Sequence, residues 1–136
     1  MDRVEFLILR NLIHNEEYVR KVIPFIKGDY FENYNEKVVF EEIIKFVQEY
    51  NQPVTKEVLC IETEKRQDIN DSSFKEITQL IGSLEEEHTE FNWLVDTTEK
   101  WCRDRAIYLA LMESIQLADG KSDETKGRDA IPTILS

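Results

Sequence analysis

The stretch that decides the fold is FNWLVDTTEKWCRDRAIYLALM, residues 91–112. Mostly apolar side chains recur in it at intervals of three and four residues, which is the spacing of one face of an α-helix. The positions that share this face are Phe91, Leu94, Val95, Thr98, Trp101, Cys102, Arg105, Leu109 and Met112. The pattern predicts a long helix from about Glu90 to Ala118.

This long helix predicts an interaction surface as well as a core element. At ~1.5 Å per residue it would be ~40 Å long, which exceeds the body of a domain of this size. A helix that exceeds its own core usually contacts a partner, so we expect part of its apolar face to lie in an interface. The alternative is a long packing helix within a single bundle.

The same spacing upstream predicts five shorter helices. They are a helix capped by Asp2 and running to about Ile13, a short one capped by Asn15 and bent or ended by Pro24, one from about Glu36 to Tyr50, one capped by Thr55, and one capped by Asp71 or Ser72. Gly28 fits a helix C-cap. The aromatics of Asp29-Tyr30-Phe31 are expected to anchor a connector to the core. The predicted fold class is all-α, a compact helical bundle of about five helices plus a long C-terminal helix.

The end of the chain predicts the start of a further helix. Residues 119–128 contain no large apolar side chain and are expected to form a turn or flexible loop. Asp129 then resembles an N-cap, followed by Ala130 and Ile131. Because Ser136 falls within this apolar pattern, we expect the domain to be part of a longer polypeptide. The predicted organisation is a helical body over residues 1–88 and a long helix with a truncated hairpin over 89–136, in one structural domain.

Charge restricts the classes of partner. The net charge is −11, from 28 acidic residues against 17 Lys and Arg. Nucleic-acid binding needs clustered Lys and Arg that displace counterions from phosphates, so direct binding of nucleic acid by this domain is not expected. An acidic surface favours a basic patch on a partner. The alternative is that these charges only solvate the surface.

The sequence contains no recognisable catalytic, cofactor-binding or metal site. Glu85 and His88 form one Glu-x-x-His step, but di-iron helical bundles need two such steps, and Asn11 stands three residues before His14. The four glycines are scattered, so no phosphate-cradling loop is present. No local signature of a nucleophile with its base appears. A carboxylate–metal enzyme is therefore a distant alternative.

The two cysteines, Cys60 and Cys102, predict a reducing, intracellular setting, although a single disulfide stays open. Charged residues interrupt the first apolar stretch, which argues against a signal peptide. No apolar run is long enough to span a bilayer. We therefore expect a cytoplasmic protein that does not bind membranes.

Several residues of the long helix are candidates for the interface. Trp, Tyr and Arg often dominate interfaces, and Trp101, Arg105 and Tyr108 lie within eight positions. The full candidate set is Trp101, Arg105, Tyr108, Leu109, Met112 and Ile131. For Trp101 the alternative is a core role, with the aliphatic stem of Arg105 lying over it. The hypothesis predicts that Leu109→Asp reduces self-association.

The order of these features resembles the N-terminal domain of DnaB-type replicative DNA helicases, in the branch found in T-even-type bacteriophages. Three segments carry the resemblance. The first is the opening helix pair that leads to Asp29-Tyr30-Phe31 and the helix with Phe40. The second is Gln52-Pro53-Val54-Thr55 with the helix of Val58-Leu59. The third is Trp93-Leu94-Val95, Glu99-Lys100-Trp101 and Arg105-Ala106, with Ala130-Ile131-Pro132 after a polar loop. Together they span nearly the whole chain.

The resemblance implies a non-catalytic domain. Such domains are helical bodies with a C-terminal helical hairpin, which pairs with a second copy and forms a collar on a hexameric ring. The collar receives the primase, and a helicase loader is a further expected partner. ATP and Mg²⁺ are expected only in a separate motor domain. The long helix would be the first arm of the hairpin, and in a phage the setting would be the cytoplasm of the infected bacterium.

This sequence departs from the bacterial pattern of the family at two points. The loop after the fourth helix is short and polar, which favours the phage branch, and the second arm of the hairpin is cut short. The second departure puts pairing of this fragment in doubt. A stand-alone helical adaptor or regulatory domain, unrelated to replication, is the open alternative from another functional class.

Overall fold

The all-α prediction is confirmed by a computed structural model, which describes the backbone of residues 3–127 and side chains as far as Asp119. The helices are α1 (Val4–His14), α2 (Glu16–Val22), α3 (Tyr34–Tyr50), α4 (Lys56–Glu64), α5 (Asp71–Ser83) and α6 (Phe91–Gly127), with a 3₁₀ turn at Gly28–Tyr30. Residues 3–127 contain no strand. Asp129 and Ile131 lie outside the described residues, as does the predicted second arm of the hairpin. Asp2 also lies outside them, and its prediction as the cap of α1 is wrong, because Arg3 occupies the N-cap position and makes no side-chain capping hydrogen bond.

Side-chain caps fix where most of these helices begin. Asn15 accepts a hydrogen bond from the backbone N of Tyr18 at 3.0 Å, and Thr55 accepts one from Val58 N at 3.2 Å. Both caps were predicted from the sequence. Asn33 caps α3 and Asn70 caps α5 in the same way, so α3 begins two residues before the predicted Glu36. For α5, the prediction of Asp71 or Ser72 as the cap is wrong by one or two positions.

Two predictions about helix ends are wrong. Gly28 does not close a helix, because α2 already ends at Val22, before Pro24, and Gly28 instead opens the 3₁₀ turn. The stretch 119–127 is helical rather than a loop. It contains no proline, and apart from glycine its residues differ in helix propensity by less than about 1 kcal/mol each, so an established helix can continue through it. Asn51 ends α3 in the left-handed conformation, with a φ of 52°.

The described part of the chain divides into two units, of which the first ends at Cys102 and the second begins at Arg103. In the first unit α3 packs against α1, α4 and α5. Its core is built from the apolar faces of all six helices, and the fully buried aliphatic side chains are Ile8, Leu9, Leu12, Val22, Val38, Val39, Ile43, Leu59, Ile77, Leu84 and, nearly so, Ile81 and Leu94. On α4, Leu59 is buried in this core, whereas Ile61 is 55% exposed. The described part of the second unit is the remainder of α6.

Two buried threonines are expected to respond oppositely to replacement by valine. Thr63 and Thr98 are both fully buried. The Thr63 hydroxyl has no hydrogen-bond partner among the described residues, whereas the Thr98 hydroxyl bonds to Tyr18 Oη and to the Leu94 carbonyl, each at 2.7 Å. Removing an unsatisfied buried hydroxyl relieves a desolvation cost. Thr63→Val should therefore stabilise the protein by up to about 1 kcal/mol in urea unfolding.

Thr98→Val is the matched variant for this comparison. It removes the same hydroxyl but leaves the buried Tyr18 hydroxyl without that partner, so it should destabilise the protein by about 1–3 kcal/mol. Equal changes in the two unfolding free energies would contradict the hydrogen-bond assignment.

The two cysteines are free and differ in accessibility. Burial, followed by the charge of Glu99, raises the pKa of the Cys102 thiol to about 12, and burial also raises the pKa of Cys60. Cys102 is only 6% exposed, while Cys60 is half-buried. Because the thiolate is the reactive form, iodoacetamide at pH 8 should alkylate Cys60 first. Cys102 should react at a comparable rate only in urea. Mass spectrometry measures the alkylation rate of each thiol. Equal rates for Cys60 and Cys102 in native buffer would show that Cys102 is not buried.

Candidate interaction surface

Among the residues that the structure describes, no group of three or more His, Cys, Asp or Glu side chains could hold a metal ion. His14, one of the two histidines, bonds through Nε2 to the Leu84 carbonyl oxygen at 2.7 Å. It therefore helps to hold the segment after α5 against α1. Within residues 3–127, no helix is long and apolar enough to cross a membrane.

The acidic stretch Glu85-Glu86-Glu87 is held by basic side chains of the first unit. Lys56 donates to Glu85 Oε2 at 2.8 Å and to the Gly82 carbonyl oxygen at 3.1 Å. Arg10 is only 5% exposed and donates to Glu87 Oε1 at 3.3 Å. Lys56 lowers the pKa of Glu85 through this hydrogen bond and its charge. The stretch is a connector between α5 and α6, and its charges help to fix it in place.

The first turn of α6 is capped by a carboxylate. Both oxygens of Glu90 accept backbone hydrogen bonds, from Asn92 N at 3.1 Å and from Trp93 N at 2.8 Å. These bonds lower the pKa of Glu90, because they favour its charged form. They satisfy donors that a helix start otherwise leaves without partners. The predicted start of the long helix is confirmed to within one residue.

Trp101 packs within the first unit. Its ring lies 5.0 Å from the ring of Phe31 and 6.1 Å from that of Tyr30, the latter edge-on at 84°. Its indole Nε1 donates to Glu5 Oε2 at 3.4 Å. These contacts explain how the connector after α2 is anchored, as the aromatics at 30 and 31 predicted. They also support the core role that the sequence left as an alternative for this residue.

The remaining candidates that the structure describes lie in the second unit. The Arg105 guanidinium lies 4.9 Å from the centre of the Tyr108 ring, which is within the range of a cation–π contact. Tyr108 is 45% exposed, and Leu109 and Met112 are half-buried. Ile131 lies outside the described residues. Their use as an interface stays a prediction.

The sequence missed a second apolar face on α6. Ile107, Leu111 and Ile115 are 60%, 59% and 54% exposed, and they are spaced four apart, so they lie along one side of the helix. The signal was present in the i, i+4, i+8 spacing. The stripe that begins at Phe91 is longer and runs along another side of the helix, so the apolar pattern predicted that side alone. With Tyr108 and Leu117, this part of α6 has five large exposed apolar side chains. Apolar side chains on this second side make α6 more than a helix with one apolar stripe facing its own core.

Comparison with known proteins gives one relative of interest. No family model matches the chain. The chain is 29% identical over 111 residues to a protein of Enterobacteria phage T4 described as "DnaB-like replicative helicase"; the match covers 82% of this chain and 23% of that protein. The chain therefore spans less than a quarter of the length of the curated relative that it matches. The resemblance predicted from the sequence is confirmed: this chain is similar to a DnaB-type replicative helicase of a T-even-type bacteriophage, over a share consistent with an N-terminal domain.

Proposed function

We propose that this chain is the non-catalytic N-terminal collar domain of a hexameric replicative DNA helicase, where it mediates self-association and primase docking. The observation that carries the proposal is the similarity over 82% of the chain to a replicative helicase of which it spans 23%. That similarity supports a role in DNA replication. An all-helical chain also fits a domain that is separate from the motor domain. ATP and Mg²⁺ would bind in the motor domain.

Self-association is supported by α6. Five large apolar side chains between Ile107 and Leu117 are about half exposed or more, although exposing such groups to water is unfavourable by about 25 cal/mol per Å². A second copy of the same helix would cover these side chains without a different partner surface, because the two chains of a two-fold pair contribute the same surface. Sedimentation equilibrium over a concentration series tests this directly. A mass that stays that of one chain at all concentrations would contradict it.

Primase docking is tested with the primase encoded in the same genome. We expect a complex in sedimentation velocity at micromolar concentrations, which corresponds to a binding free energy of about −8 kcal/mol. Because the chain carries a net charge of −11, an unrelated basic protein serves as the control for simple charge attraction, which salt screens. Independent sedimentation of the primase, or equal binding of the control protein, would remove this part of the proposal.

A further inference from the structure

Ile61 stands at the exposed edge of α4, in a position that packing within the first unit does not explain. Its side chain is 55% exposed, although the next residues on the opposite side of the same helix, Leu59 and Thr63, are fully buried. Because α4 packs against both α3 and α5, Ile61 lies between two grooves. It contributes to the lining of each of them.

The exposed lining of both grooves is mostly apolar. The groove between α3 and α4 has a volume of about 280 Å³ and is lined by Phe46, Tyr50, Val58 and Ile61 together with four charged side chains. The groove between α4 and α5 is lined by Val58, Cys60, Ile61 and Ile81. Gly82 leaves its α5 wall open, since a Cβ added there would meet nothing within 4 Å. We call these two grooves and the Ile61 ridge the α4 surface.

The charges around the α4 surface are mainly acidic. Four glutamates line the two grooves, against Lys45 and Lys56, and Lys56 is already paired with Glu85. Two of the four are also engaged, Glu42 with Arg66 and Glu62 with Lys65. Glu49 and Glu57, together with the neighbouring exposed Glu64, make no ion pair with any residue that the structure describes. Free carboxylates beside an apolar ridge complement a partner that combines apolar and basic side chains.

We propose that the α4 surface docks a basic amphipathic helix of a partner protein. The apolar side of such a helix would fill the grooves on either side of Ile61, as in other helix-in-groove complexes. Its Lys or Arg residues would face Glu49, Glu57 and Glu64. The α4 surface belongs to the first unit and uses none of the α6 residues assigned to self-association. A test of this docking site is therefore independent of a test of self-association.

The probe is a synthetic Leu/Lys amphipathic peptide of about 14 residues, long enough to form a marginal helix. It is titrated into the ¹⁵N-labelled chain, and amide shifts are recorded by NMR. We expect the shifts to concentrate at Tyr50, Ile61 and Gly82. A peptide with Glu in place of each Lys should bind at least about tenfold more weakly, which is about 1.4 kcal/mol. Shifts confined to α6, or equal binding of the two peptides, would overturn the proposal.

Variants locate the contact. Ile61→Asp should weaken binding of the Leu/Lys peptide at least about tenfold. Trp93→Asp, at a similarly exposed apolar residue that lines neither groove, should leave binding unchanged. Replacing Glu49, Glu57 and Glu64 by Gln should weaken it more than the same change at Glu17, Glu32 and Glu86, which alters the net charge equally. The amide spectrum of each variant reports whether it folds. If Ile61→Asp instead lowers the sedimentation mass of the chain alone, a second copy covers this surface and the proposal is wrong.

Discussion

Trp101→Ala is expected to lower the free energy of unfolding by about 2–4 kcal/mol. Complete removal of a buried Trp or Phe side chain costs about 3–5 kcal/mol. Because Trp101 is only half-buried, the expected loss begins below that range and does not reach its upper end. The loss comes from the contacts with Phe31 and Tyr30 and from the hydrogen bond to Glu5. These contacts join α6, α1 and the connector after α2. Urea unfolding followed by circular dichroism measures the change.

Trp93→Ala is the matched control, because it removes the same side chain from the same helix. Trp93 is 50% exposed, and its side chain makes no hydrogen bond or ring contact with the described residues. The expected change is within about 0.5 kcal/mol, as for most surface substitutions. A small change for Trp101→Ala as well, combined with weaker self-association, would show that Trp101 acts in the interface that the sequence suggested rather than in the core.

Leu111→Asp is expected to weaken self-association by about 30-fold or more, which corresponds to roughly 2 kcal/mol. Leu111 lies at the centre of the exposed Ile107–Leu111–Ile115 face, and a carboxylate there would be buried without a partner in the paired state. Leu109→Asp tests the face that the sequence analysis proposed. Because Leu109 is less exposed than Leu111, we expect its effect on association to be smaller. Sedimentation equilibrium at matched concentrations compares the two.

Gln116→Asp controls for the added charge, since it changes an exposed polar residue of the same helix. It should leave the association constant unchanged within about twofold, because exposed charges contribute little. A larger effect for Leu109→Asp than for Leu111→Asp would assign the interface to the face with Tyr108, Leu109 and Met112 instead. If neither substitution weakens self-association, α6 is not the self-association surface.

The helices were predictable because their signals are local. An apolar side chain at every third or fourth position, and an Asn or Thr that accepts a backbone hydrogen bond three residues ahead, are properties of a few adjacent residues. Asn15 and Thr55 were identified as caps on this basis. The end of α6 was not predicted, because the polar composition of 119–127 does not distinguish a loop from a continuing helix.

The sequence by itself determined the fold class, the order and approximate bounds of the helices, and the resemblance to replicative helicases, since all of these follow from periodicity, caps and the succession of motifs. Only the tertiary structure decided which apolar residues are buried. Trp101 and Ile61 both occupy positions on amphipathic helices, yet the first is held by Phe31, seventy residues away, and the second lies exposed between two grooves. Burial depends on contacts between residues distant in the chain, and periodicity gives the face of a helix without giving the element that covers it.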